Sequence, residues 1–211
     1  MELTLLTNPV QNIAPRTIWC LGRNYAEHAR ELGNQVETKP LVFQKGLNAL
    51  APFENEVPLD WSLGPIHYET ELVMLMDRVG DVPRLVGLAL GLDLTLRDLQ
   101  SELKSAGKPW TLAKSFDHAA IVSHFVPLTQ FEDLDTLIFT MQLNGELRQT
   151  GETRKMILSL YDTMAYLETF TRLRAGDLVF TGTPAGVGEL HPGNEILADL
   201  AGQLVARIKV I

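Results

Sequence analysis

The sequence predicts a predominantly β fold of the α+β class, closed or rolled, with a few helices at its margins. Three observations carry that prediction. Short apolar or alternating runs recur along the chain, each bounded by Gly, Pro, Asn or Asp. Phe139–Leu143 and Glu146–Thr150 flank Asn144-Gly145, the pair that best tolerates a two-residue turn with positive φ at both positions. The C-terminus alternates Leu204, Ala206, Ile208 and Val210 with Val205, Arg207, Lys209 and Ile211, the period of a strand with one buried face.

In chain order, residues 1–17 read as an N-terminal edge segment punctuated by Pro9 and Pro15, and 18–211 as one domain. Ile18–Leu21 is a strand ending at Gly22, and Gly22-Arg23-Asn24 is a turn. A short helix follows from Tyr25 to Leu32, with Asn24 as N-cap and Gly33 as stop. His28 and Glu31 share one of its faces. Gly33–Pro40 is a polar loop beside them. Leu41–Gln44 is a strand leading to Lys45-Gly46, and Leu47–Leu63 reads as extended segments and turns. Glu69 and Glu71 enter an apolar strand, Leu72–Met76, on one side of it. Asp77 to Pro83 marks a connection to a second apolar run, Leu85–Leu92, which ends at Asp93. Thr95–Ala106 reads as a helix with Thr95 as N-cap, Asp98 as its capping-box partner and Gly107 as stop. Trp110–Asp117 has no clear period. Ile121–Pro127 is a strand, and Met156–Phe170 has helical spacing, with Ile157, Leu160, Tyr161, Met164 and Leu167 on one face. Leu178–Thr181 is a strand running into the glycine-rich turn Gly182–Gly188.

The 211 residues suit one large domain, and 45% hydrophobic against 21% charged residues allow a core that needs no staples. A net charge of −8 argues against nucleic acid and anionic membranes, but not against anionic substrates if a metal reverses the local sign. The single cysteine, Cys20, excludes an internal disulfide, reads as a buried strand residue and fits a reducing, cytoplasmic setting. No apolar run approaches membrane-spanning length, and Met1–Val10 lacks the features of a signal peptide.

Glu69, Glu71 and Asp93 are three carboxylates at the edges of apolar strands. They repel each other and are costly to desolvate unless a cation lies between them. Their spacing leaves two readings open, solvated strand-end charges or oxygen ligands for a hard divalent cation such as Mg²⁺ or Mn²⁺. By spacing alone His28 is an ordinary histidine, and Lys114 is a surface charge or, between Trp110 and Phe116, a partly buried one. Arg97 and Gln100 form either a polar outer face or a site for a second carboxylate. The three glycines of 182–188 lack the Lys-Ser/Thr of a phosphate loop.

Six motifs occur together and in order: Gly22-Arg23-Asn24-Tyr25-Ala26-Glu27-His28, Tyr68–Leu72, Leu92–Gln100, Trp110–Asp117, Asn144–Gln149 and Gly176–Gly188. In this the chain from Ile18 onward resembles the fumarylacetoacetate hydrolase family, above all its short single-domain branch of acylpyruvate hydrolases and oxaloacetate decarboxylases. The resemblance implies a mixed β-sandwich roll, a homodimer, and one Mg²⁺ or Mn²⁺ per subunit. It implies Glu69, Glu71 and Asp93 as metal ligands, His28 and Glu31 as a water-activating dyad, and Lys114 as the active-site lysine. Arg97, Gln100, Lys114 and Thr183 would contact substrate. Two departures stand out: Gly46 replaces the proline usual in relatives, which would free the backbone there, and the Met76–Leu85 connection is short.

The expected function is therefore metal-dependent C–C cleavage of a 2,4-dioxo acid of the acylpyruvate or fumarylpyruvate type, giving a carboxylic acid and pyruvate. The main alternative is decarboxylation or keto–enol tautomerisation of oxaloacetate at the same site. A related isomerase or hydratase of 2-oxo dicarboxylic acids, or a non-catalytic metal-stabilised binding protein, ranks lower. The Gly33–Pro40 loop is a candidate lid over the dyad.

Overall fold

The protein, described by a computed structural model over residues 1–31 and 40–211, is mostly strand with four α-helices among the described residues. An eight-stranded mixed sheet runs in the order Leu41–Lys45, Ile18–Gly22, Leu178–Phe180, Thr70–Val79, Val82–Asp93, Ala120–Val122 and Leu50–Pro52, with Val126–Pro127 also paired to Val82–Asp93. A five-stranded sheet contains Glu146–Glu152, Ile138–Leu143, Glu195–Leu200, Leu204–Val210 and Glu54–Val57. A three-stranded sheet joins Thr95–Leu96, Ile66–Tyr68 and Gly188–Glu189. The first segment forms its own pair, Leu3–Leu5 with Gln11–Ile13, tied to the body where Leu5 meets Phe125.

The centre of the large sheet is the hairpin Thr70–Val79 with Val82–Asp93. Leu72 to Met76 and Leu88 to Leu92 are buried on both faces, which is why these runs are continuous in apolar character rather than alternating. The stretch Asp77–Pro83 is not a separate connection. The two strands pair through it to a turn at Gly80-Asp81, with Pro83 opposite Arg78. Phe180 from the large sheet and Phe139 from the smaller one are both fully buried in the one continuous core. Each such side chain contributes roughly 1.5–3 kcal/mol. The 139–150 hairpin forms as expected, with φ of 52° at Asn144 and 82° at Gly145. In the C-terminal strand Ala206, Ile208 and Val210 are buried and Val205, Arg207 and Lys209 are exposed.

Helix boundaries depart from the sequence reading where side chains find tertiary partners. Helix α1 spans Ala26–Glu31. Asn24 does not cap it: its amide donates to the carbonyls of Thr181 (2.8 Å) and Leu158 (3.1 Å) and accepts from the Leu158 N–H (2.8 Å). Helix α2 spans Arg97–Ser105 and begins without a side-chain cap. Thr95, expected as that cap, is in a strand opposite His67. The segment 110–117 contains a short helix, α3, at Thr111–Lys114. The Met156–Phe170 pattern shortens to α4, Leu160–Glu168, because Ser159 caps it through the Asp162 N–H at 3.1 Å. Ile121–Pro127 splits into Ala120–Val122 and Val126–Pro127. Gly46 has φ −69°, a value open to any residue, proline included. The expected stop at Gly33 and the candidate lid, apart from Pro40, lie outside the described residues.

Candidate active site

The site forms where the large sheet's central hairpin meets the three-stranded sheet. Glu69 sits in the break between Ile66–Tyr68 and Thr70–Val79, Glu71 at the second position of the long strand, and Asp93 at the end of its partner. The Asp93 N–H donates to the Glu69 carbonyl at 2.9 Å, which brings the three carboxylates together from distant positions in sequence. One oxygen from each lies within 4.8 Å of the others, and all three residues are buried.

Three cations surround them. Lys114, 2% exposed, places Nζ 2.7 Å from Glu69 Oε2 and 2.8 Å from Asp93 Oδ2, and 5.2 Å from the centre of the Phe43 ring. Lys45 Nζ lies 2.7 Å from Asp93 Oδ1, off the hydrogen-bond direction, and donates to the carbonyls of Leu94 (3.1 Å) and Lys114. Arg97 reaches Glu69 Oε1 at 2.5 Å and Gln100 Oε1 at 2.7 Å. Glu71 instead accepts the Gly182 N–H at 2.7 Å.

These contacts divide the carboxylates. Burial pushes the Glu69 carboxyl up, but Lys114, Arg97 and His28 together outweigh it and hold the group below the ordinary range. Burial pushes Glu71 well up, and Asp93 and Glu69 push it further, against the weaker pull of the Gly182 N–H and Lys114. Burial disfavours the Lys114 ammonium, yet Asp93 and Glu69 outweigh burial and keep it charged. Three buried oxygen donors, with Glu71 raised by repulsion from the other two, fit a hard divalent cation.

Helix α1 supplies the dyad. His28, 5% exposed, has Nδ1 3.1 Å from Glu31 Oε2, and Glu31 Oε1 accepts the Gly186 N–H at 3.0 Å. Glu31 thus ties the histidine's helix to the glycine-rich turn. Gly186 has φ 100°, and a Cβ there would come within 2.1 Å of the Arg148 carbonyl. Gly186→Ala is expected to lower the thermal midpoint by the equivalent of about 1–3 kcal/mol and to loosen Glu31. Calorimetric melting checks the first effect.

The cavity enclosed by these groups measures 130 Å³. It brings together His28, all three carboxylates, Arg97, Gln100, Lys114 and Thr183, with Arg23 and Lys104 as further cations and Phe43 and Trp110 as apolar walls. Thr183 lines it, but its hydroxyl is committed elsewhere, donating to the Thr70 carbonyl at 2.9 Å. Sequence reasoning assigned no role to Lys45 or Gln149. Lys45 follows an apolar strand with no pattern of its own. Gln149 was visible only as the last residue of a motif. Cys20 is buried in its strand as expected, and burial raises its thiol well above the usual range.

The fumarylacetoacetate (FAA) hydrolase C-terminal family model matches residues 17–210. The chain is 41% identical over 202 residues to the mitochondrial oxaloacetate tautomerase FAHD1 of Rattus norvegicus, covering 92% of this chain and 91% of that one. It is 37% identical over 209 residues to the oxaloacetate tautomerase YcgM of Escherichia coli, covering 94% and 92%. Among solved structures it resembles fumarylpyruvate hydrolase from Pseudomonas aeruginosa in complex with Mn²⁺ and pyruvate, with a TM-score of 0.92, 36% identity, and coverage of 100% and 95%. The motifs, the curled sheets and the buried carboxylate cluster thus have one explanation: the chain belongs to the fumarylacetoacetate hydrolase family of enzymes.

Proposed function

We propose that the chain is a divalent-metal-dependent enzyme that takes a small 2-oxo acid through its enol form, with keto–enol tautomerisation of oxaloacetate as the first reading. The observation that carries it is His28 and the three carboxylates lining one cavity of 130 Å³, with Glu31 behind His28 at 3.1 Å from its Nδ1. That volume is well below the roughly 300–1,000 Å³ of pockets for drug-sized ligands. It suits a small acid, and the two tautomerase relatives point to oxaloacetate.

Glu69, Glu71 and Asp93 would hold one Mg²⁺ or Mn²⁺, which when bound supplies Lewis-acid stabilisation of charge on the 2-oxo oxygen. His28 would take a proton from C3 of the keto acid and give it to the enolate oxygen, completing the enol, while Glu31 orients its ring and balances its charge. Arg97 and Lys114 add positive charge to the cavity wall and would stabilise a substrate carboxylate and the enolate oxygen. Gln100 completes that wall, and Arg23 and Lys104 make the rest of the lining cationic. An anionic substrate is thus accepted despite the chain's net charge of −8.

A second reading is favoured by the likeness to fumarylpyruvate hydrolase. Here His28 takes its proton from water, the hydroxide adds to the distal carbonyl of a 2,4-dioxo acid, and the C–C bond breaks to a carboxylic acid and the pyruvate enol. Decarboxylation of oxaloacetate gives the same enol by loss of CO₂. The proposal includes a homodimer and a cytoplasmic location. Among the described residues no helix is long and apolar enough to cross a membrane.

Oxaloacetate and acetylpyruvate assayed side by side, with Mg²⁺ and then with EDTA, decide between the readings. Metal-dependent enol–keto exchange of oxaloacetate, falling about 100-fold or more in His28→Ala, is the expected result. Acetate and pyruvate released from acetylpyruvate would establish the hydrolase instead. Turnover of neither compound by the metal-loaded protein would overturn both.

A further inference from the structure

The large sheet loses its regular pairing at the site. Strand Leu178–Phe180 pairs with Val73–Leu75, and the last ladder bond beyond it is Thr181 N–H to the Leu72 carbonyl, 3.1 Å. The following turn then bends away, while the partner strand continues to Thr70. The peptide groups of Thr70, the residue between Glu69 and Glu71, therefore need other partners on that side. Buried peptide groups left without partners are costly.

Side chains supply them in a closed ring. The Thr70 N–H donates to Gln149 Oε1 at 2.9 Å. Gln149 Nε2 donates to Thr183 Oγ1 at 2.8 Å and to the Pro184 carbonyl at 3.0 Å. The Thr183 hydroxyl donates to the Thr70 carbonyl at 2.9 Å. Gln149 is 1% exposed, Thr183 3% and Thr70 0%. Gln149 belongs to the five-stranded sheet, so the ring joins the two sheets where the carboxylates emerge. The Gln149 amide offers an acceptor to Thr70 and a separate donor to Thr183 and Pro184 at one tip. Glutamate would lose the donor and add a charge beside Glu69 and Glu71, and an apolar side chain would satisfy neither Thr70 nor Thr183.

We infer that Gln149 is a positioning residue for metal binding: through Thr70 and Thr183 it fixes the peptide planes that aim Glu69 and Glu71 at one point. The inference rests on the reading of those carboxylates as metal ligands. The same turn donates the Gly182 N–H to Glu71 at 2.7 Å, so the ring acts on Glu71 from both its chain neighbour and its hydrogen-bond donor.

The test is the Mn²⁺ dissociation constant, read from free Mn²⁺ by electron paramagnetic resonance, for wild type, Gln149→Met, Thr183→Val, Thr183→Ser and the Gln149→Met/Thr183→Val double variant. Thermal midpoints are measured in parallel. The expected result is a rise of about 10–100-fold in each of the Met and Val variants, the range for groups that orient metal ligands. The double variant should be no worse than the weaker single one, because one break opens the ring, and Thr183→Ser, which keeps the hydroxyl, should bind like wild type. Lower thermal midpoints with unchanged Mn²⁺ affinity would overturn the inference and leave the ring merely structural. Should Gln149→Met fail to fold, the contrast between Thr183→Val and Thr183→Ser decides alone. Absence of Mn²⁺ binding by wild type would sink the metal reading itself, an outcome distinct from wild-type binding that the variants leave untouched.

Discussion

Glu71→Gln is expected to abolish divalent-cation binding and turnover while leaving the metal-free fold at least as stable as wild type. The reason is the asymmetry of the carboxylate cluster. Glu69 and Asp93 each contact buried cations, whereas Glu71 accepts the Gly182 N–H. Glutamine keeps that hydrogen bond through its carbonyl oxygen and removes a group that burial, Asp93 and Glu69 all disfavour in its charged form. A cation needs the charge, however, and must displace a proton from Glu71 to obtain it, so wild-type affinity should rise with pH. The metal-free protein has the opposite dependence. Above the ordinary glutamate value of 4.5 the unfolded chain releases a proton that folded Glu71 retains. Stability attributable to this group therefore falls as pH rises from that value towards the raised folded pKa. The stability advantage of Glu71→Gln, measured by urea denaturation in EDTA, should grow over the same window. A Mn²⁺-dependent rise in thermal midpoint that persists in the variant would show that Glu71 is not a ligand.

Lys114→Met is expected to produce the largest loss of metal-free stability, about 3–5 kcal/mol, the range for breaking one partner out of a buried ion pair. Lys114 spans Glu69 and Asp93, and both pairs are almost fully buried. Methionine fills similar space but leaves two carboxylates facing each other with reduced compensation from Lys45 and Arg97. A divalent cation restores that compensation. The rise in thermal midpoint on adding Mn²⁺ should thus be larger in Lys114→Met than in wild type, even as turnover falls. Equal destabilisation with and without Mn²⁺ would show that the cation and the ammonium do not serve the same carboxylates.

The features legible in the sequence share one property: they depend on neighbours in the chain. The 139–150 hairpin follows from the φ preferences of Asn144-Gly145. The C-terminal strand follows from its period of two, and the burial of Leu72–Met76 from a continuous apolar run. His28 and Glu31 meet because they are three apart on a helix. The errors have one source as well. Asn24 and Thr95 are good caps by type, but each finds a stronger use across the fold, Asn24 in bonds to Thr181 and Leu158 and Thr95 in a strand with His67. Local propensity yields when tertiary partners offer more.

The same division runs through the site. The residue types and their order were enough to identify the family and to single out Glu69, Glu71, Asp93, His28 and Glu31, because those are properties of short motifs; the structure brings the three carboxylates together and His28 against Glu31. Only the tertiary structure decided that Lys45 and Lys114 enter the carboxylate cluster, that Arg97 lies against Glu69, and that the Thr183 hydroxyl is committed to Thr70. It also placed Gln149 against a peptide 79 residues away in the chain. The physical reason is desolvation. A polar group carried into a packed interior must find a partner wherever the fold provides one, and distance along the sequence does not indicate which group that will be.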